Sequence, residues 1–140
     1  MGTLPRLRRL RAPWMLLIVV VCGCVPYMNP TASDIPKLGS LKDVMAAQET
    51  ITDPVWSKID DRSYGDADWL ALEDVSVRIR ATAERSMAWS RGKLFDHYDD
   101  ALRTAAVDLG SAVDQKSADL AAQALTDMRH ACRSCHEHVR

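Results

Sequence analysis

The sequence predicts an all-α protein, an antiparallel four-helix bundle with its chemistry near the C-terminal helix. Three observations carry that prediction. Apolar residues recur at steps of three and four along four separate stretches after Ser40, the period of helices with one buried face. Short polar links join the stretches, so consecutive helices must fold back beside each other. No segment alternates apolar and polar residues as a half-buried strand would.

Before the first stripe, residues 1–39 have a different character. Arg6, Arg8, Arg9 and Arg11 form a basic head without an acidic residue, and Trp14 to Val21 is an unbroken apolar run. The run is shorter than the roughly 20 residues that span a bilayer. A basic head, a short apolar middle and a small-residue end read as an export signal over residues 1–23. Its end, Val21-Cys22-Gly23-Cys24, resembles the lipobox of bacterial lipoproteins. That resemblance implies cleavage before Cys24 and lipidation of Cys24. The chain would then be exported and held on the periplasmic side of a bacterial membrane, the outer one favoured by Val25 after the cysteine. An ordinary signal peptide cut a few residues later, leaving a soluble periplasmic protein, is the alternative. Residues 24–39 hold Pro26, Pro30 and Pro36 among small and polar residues, an extended tether. Residues 40–140 are one domain's worth of chain.

Within the domain, Ser40 is placed to cap a first helix whose stripe is Leu41, Val44, Met45, Gln48, Ile51, Val55, Trp56 and Ile59. Pro54 falls inside it. Since the stripe keeps its phase across the proline, a kinked single helix is expected rather than a handover to a second one. Asp60 to Gly65 is polar connection. The second helix begins near Asp66 or Asp68 and shows Trp69, Leu72, Val75, Ile79 and Ala83, fading near Met87. After a break at Ala88 to Gly92, the third carries Leu94, Tyr98, Ala101, Leu102, Ala105, Leu109 and Val113. Gly110 inside it costs roughly 1 kcal/mol against alanine and makes an earlier end possible. Asp114 to Lys116 is a turn, and Ser117 caps a fourth helix with Leu120, Ala121, Ala124, Leu125, Met128, Cys132, Cys135 and Val139 on its stripe. Helices of about twenty residues would each be roughly 30 Å long. The inner alanines of helices three and four suggest room for a flat ring.

The densest chemistry is Cys132-Arg133-Ser134-Cys135-His136. Two cysteines three apart with a histidine after the second form the attachment signature of c-type haem. Each thiol adds to one vinyl group of the porphyrin, and the adjacent imidazole meets the iron. On a helix the three lie at i, i+3 and i+4, on one face. A thioredoxin-like pair normally opens a helix, whereas this one closes one. Zinc would need a fourth ligand, from His130 or His138. An inert helix, or a scaffold whose two cysteines oxidise each other, is the remaining alternative.

The cysteines are then accounted for: Cys132 and Cys135 to one covalent haem c, Cys24 to lipid, Cys22 lost with the signal. Removing four arginines with the signal leaves 14 basic against 19 acidic side chains, a net charge of −5. No basic stripe supports nucleic-acid binding. An acidic domain suits steering toward a basic partner.

Over about Ser40 to Arg140 the chain resembles class II c-type cytochromes, the cytochrome c-prime family with its low-spin relatives. The resemblance rests on the late Cys132-Arg133-Ser134-Cys135-His136, on the four helices, and on Leu41-Lys42-Asp43-Val44-Met45. It rests too on Asp53-Pro54-Val55-Trp56 and on Arg140, a basic residue four after the histidine. Val139 departs from it, where the family often has an aromatic. The resemblance implies His136 as proximal iron ligand, as its place beside Cys135 does independently. It implies Met45 as distal ligand and Arg140 as partner of a haem propionate. From the residues alone, Met45 reads equally as core filler and Arg140 as a terminal charge. Met28, Met87 and Met128 are poorer distal candidates; His97, His130 and His138 are expected on the surface, and Trp56 and Trp69 in the core. With Met45 on iron, the protein shuttles single electrons between redox partners of the cell envelope, methionine raising the potential. Without it, five-coordinate iron binds NO or CO. No general base, nucleophile or substrate pocket argues for an enzyme. A homodimer accords with the family, though no seam stands out.

Overall fold

The computed structural model describes residues 29–61 and 63–139. The signal segment, Cys24 and Arg140 lie outside the described residues. Among the described residues the regular structure is entirely helical, the four-helix bundle expected: α1 Leu41–Thr52, α2 Asp66–Ser86, α3 Lys93–Asp114 and α4 Ala118–His138. No described helix is long and apolar enough to cross a membrane.

Each helix begins where its local chemistry requires. Ser40 Oγ accepts from the Asp43 N–H at 3.1 Å and satisfies one of the free donors of α1. Asp68 reaches back to the Gly65 N–H at 2.9 Å to open α2. Gly92 starts α3 at φ 103°, a backbone region that side chains with a Cβ avoid. Ser117 Oγ caps α4 through the Leu120 N–H at 3.4 Å. Between α3 and α4, Ser117 N–H donates to Ala112 C=O and Lys116 N–H to Val113 C=O, both at 3.0 Å. That Schellman pattern puts Lys116 at φ 51° where glycine is usual. The Lys116 ammonium lies 5.2 Å from the Trp69 ring centroid, a cation–π contact that helps offset the strain.

One expectation about the helices needs correction. The first helix is not a kinked twenty-residue rod: α1 has 12 residues, about 18 Å, and passes into a 3-10 helix, Asp53–Ile59. Pro54 has no N–H to give to a carbonyl four residues back, so the chain stays coiled but tightens. Gly110, conversely, does not end α3, which continues to Asp114. A Cβ at Gly110 would stand 2.8 Å from Ser76 Oγ, so its bareness lets α2 and α3 approach. The Ser76 hydroxyl uses that closeness to donate to the Ala106 carbonyl at 2.9 Å.

Helix phases hold for α2, where Trp69, Leu72, Val75, Ile79 and Ala83 are all buried. At the start of α3 the expected stripe is rotated by one residue, whereas in α4 it holds at Ala121, Ala124, Leu125 and Met128 and only Leu120 turns outward. Leu94 and Leu120 are exposed while Phe95 and Ala121 are buried. The alanines also act differently from expectation. Ala105, Ala106, Ala112, Ala121 and Ala124 are buried, and α3 and α4 form the most extensive helix pair. Small side chains there bring two helices together instead of leaving a gap for a ring. The space lies elsewhere. α1 packs on α2 but scarcely meets α4, which instead packs on the 3-10 helix that follows α1.

Candidate functional site

The last turns of α4 face that opening. Cys132, Cys135 and His136 line one cleft together, as their i, i+3, i+4 spacing requires. The Val139 N–H donates to the Cys135 carbonyl at 2.8 Å and closes the final turn around the motif. His138 is exposed, but its Nδ1 bonds the Ser134 carbonyl at 2.8 Å. Its ring lies 6.0 Å from that of Tyr98, at 26° between planes, tying the end of α4 to α3.

Opposite stands α1. Met45 and His136 border the same cleft and also two open hollows, one of about 580 Å³ and one of about 350 Å³. The first hollow is walled by Gln48, Thr52, Trp56 and Cys132, the second by Arg91, Phe95, Cys135 and Val139. Each is of the size that cofactor pockets occupy. Both thiols are free. Burial pushes the Cys132 thiol up to about 11, with the neighbouring Cys135 adding to it, and burial then Asp99 raise Cys135 as well. A thioredoxin-like pair needs its nucleophile lowered, the reverse of this environment. Among the described residues no three His, Cys, Asp or Glu side chains converge as a metal-binding group. Cys132, Cys135 and His136 are spread along a wall, which suits a broad planar ring better than a tetrahedral ion.

The inner end of the cleft holds a buried carboxyl. Asp99 is 7% exposed, and its Oδ1 lies 2.5 Å from Ser86 Oγ. Ser86 has one proton but two neighbours to serve, since its Oγ also lies 2.7 Å from the Ala83 carbonyl. The pattern closes when Asp99 carries a proton, donates to Ser86, and Ser86 donates to Ala83. Desolvation, partly offset by the Ser86 hydrogen bond and reinforced by Asp96 and Asp100, raises the Asp99 pKa to about 6.

Of the residues singled out from the sequence, the structure brings together Cys132, Cys135, His136 and Met45. Trp56 is half-buried at the cavity wall and Trp69 is in the core; His97 and His130 are exposed. Gln48, Phe95, Asp99, Lys42 and Arg91 also line the site, a role that the sequence pattern does not reveal. Gln48 had left a trace, as a polar residue on an otherwise apolar stripe. Asp99 had none, because its burial follows from the rotated phase of α3.

A family model described as Cytochrome C' matches residues 67–140. The match takes in nearly all of α2, then α3, α4 and the Cys132–His136 motif, and leaves α1 with Met45 outside. No curated protein and no solved structure matches the chain.

Proposed function

The chain belongs to the cytochrome c′ family, and from that premise we propose that it is a mono-haem c-type cytochrome carrying single electrons in the cell envelope. Membership implies haem binding, and the residues present fit the group. Two free thiols stand one helical turn apart, with an imidazole beside the second; a hollow of about 580 Å³ opens beside Cys132 and one of about 350 Å³ beside Cys135, and His136 borders both. Cys132 and Cys135 would hold the porphyrin through thioethers, and His136 would ligate the iron from α4. The bound group supplies the one-electron couple.

The observation that carries electron transfer over gas binding is Met45, which borders the inner cleft and both larger hollows together with His136. A thioether there would complete the axial pair and favour the reduced state. The rest of the chain contributes position and dryness. The Ser40 cap fixes the start of α1, Phe95 and Leu102 exclude water from the inner cleft, and Trp56 closes one side. Lys42 and Arg91 line the 350 Å³ hollow as cations suited to haem carboxylates; for Arg140 the same role rests on the resemblance alone. Export and lipidation at Cys24 belong to the same proposal and rest on the N-terminal pattern.

The spin state of the ferric haem tests the ligand set. Wild type is expected low-spin and Met45→Leu high-spin, with a lower reduction potential. A high-spin wild type that takes up CO readily would instead favour the five-coordinate, gas-binding reading.

A further inference from the structure

The segment that leads into α1 is built into the domain. Its prolines read as those of an extended tether, yet from Asn29 onward it packs along α2. Ile35 is 0% exposed and Leu38 9%, and Ile35–Lys37 forms one 3-10 turn against that helix. Two arginines, two turns apart on α2, hold this strap down. Arg78 donates to the Asn29 side-chain carbonyl at 2.6 Å and to the Pro30 backbone carbonyl at 3.2 Å, and it pairs with Asp74 at 2.5 Å. Arg85 donates twice to the Leu38 carbonyl, at 2.6 and 3.1 Å, with its guanidinium 4.5 Å from the Trp89 ring centroid. Buried apolar side chains and charge-assisted hydrogen bonds at both ends make the strap part of the fold.

Chain length then limits how the bundle can lie. Five peptide links join Cys24 to the clamped Asn29, a reach of at most about 18 Å. A tether free as far as Ser40 would reach about 55 Å. Half the girth of a bundle two helices across is roughly 35 Å. The long tether would let any side meet a membrane; the short one admits only the side where the strap begins. That side is the outer stripe of α2, where Leu70, Asp74, Val77 and Arg78 follow one another at helical spacing. Leu70 is 67% exposed and Val77 42%. Glu73 and Glu84 are exposed on the same helix, so the leash and not charge attraction holds this side to phospholipid. α4, with Cys132, Cys135 and His136, packs on α3 and on the 3-10 helix after α1 and scarcely meets α2. Resting on the lipid anchor at Cys24 proposed above, we infer that the strap turns the outer stripe of α2 to the phospholipid surface and the α4 wall away from it. The haem site then exchanges electrons with partners that approach from solution, not with redox proteins embedded in the same membrane.

Thiol accessibility tests this on the lipidated, haem-loaded chain bound to phosphatidylcholine vesicles. A cysteine is introduced as Val77→Cys on α2 or as Thr126→Cys on the exposed side of α4. Its reaction with a polyethylene-glycol maleimide is timed with and without a Gly–Ser linker of about twenty residues inserted between Cys24 and Asn29, a flexible coil long enough to free the bundle. Val77→Cys is expected to react several-fold more slowly without the linker than with it, and Thr126→Cys at the same rate in both. A linker that leaves both rates unchanged, or moves both equally, overturns the inference while the anchor stands. Protein that does not float with the vesicles overturns the anchor and this inference together. Covalent haem and electron carriage are untouched by either result.

Discussion

Replacing Asp99 by asparagine should stabilise the protein, and by an amount that depends on pH. In the native state its carboxyl holds a proton up to about pH 6, against 3.8 for the same group in an unfolded chain. Below about pH 4 the proton is bound in both states and the burial of Asp99 is uncharged. As pH rises from about 4 through 6, the unfolded chain binds fewer protons than the native one, and stability falls. Above about pH 6 the loss is complete and the curve flattens. The shift of about 2 units, at 1.36 kcal/mol each, makes that loss about 3 kcal/mol. Asparagine keeps the shape and reproduces the protonated pattern, its Nδ2 donating to Ser86 while Ser86 donates to Ala83. Urea denaturation of the haem-loaded protein, followed by far-UV circular dichroism at several pH values, reads the difference. Near pH 4 wild type and Asp99→Asn should agree to within about 1 kcal/mol; near pH 7 the variant should lead by up to about 3 kcal/mol. A gap that stays constant across this range would show that Asp99 ionises as an ordinary surface carboxylate, and would refute the reasoning.

Two further perturbations test the frame that holds the site. Gly110→Ala gains about 1 kcal/mol of helix propensity but drives a Cβ to within 2.8 Å of Ser76 Oγ, forcing a buried hydroxyl off the Ala106 carbonyl at about 1–3 kcal/mol. A net loss of about 1 kcal/mol is expected, with Ser76→Ala/Gly110→Ala recovering it; a stabilised single variant would show that the helices can part freely. Ser40→Ala removes the cap of the helix carrying Met45 and should lower unfolding free energy by about 1 kcal/mol, with calorimetry showing whether melting is unaffected instead.

How far the residue string reaches depends on the range of the physics involved. Cys132, Cys135 and His136 are legible because one turn of helix fixes their relation regardless of what surrounds them. Ser40 and Ser117 are legible as caps for the same reason: donor and acceptor are three residues apart. The phase of α2 is legible because Trp69, Leu72, Val75, Ile79 and Ala83 recur at helical spacing on one side, a pattern that exposed Leu70 and Val77 do not break. At the start of α3, by contrast, Leu94 and Phe95 offer equally good apolar side chains, and only packing against other helices decides that Phe95 goes inside. That one-residue turn also brings Asp99 into the cleft. The change from α to 3-10 at Asp53 is local, yet an unbroken apolar stripe looks alike in either coil over so few residues. The cavity itself is tertiary. It exists because α1 leans on α2 and away from α4, and nothing in a single helix's pattern encodes that lean. Met45 as a facing group is thus a matter of geometry, which the sequence could suggest only by resemblance.

Covalent attachment of haem at Cys132 and Cys135 is the central claim. Intact-mass measurement of the mature polypeptide, produced with the haem-attachment machinery and denatured before analysis, is the direct test. One haem is expected to remain on the chain through denaturation, mapping by peptide fragmentation to the segment around Cys132 and Cys135. A polypeptide of unmodified mass at those two cysteines would contradict the central claim.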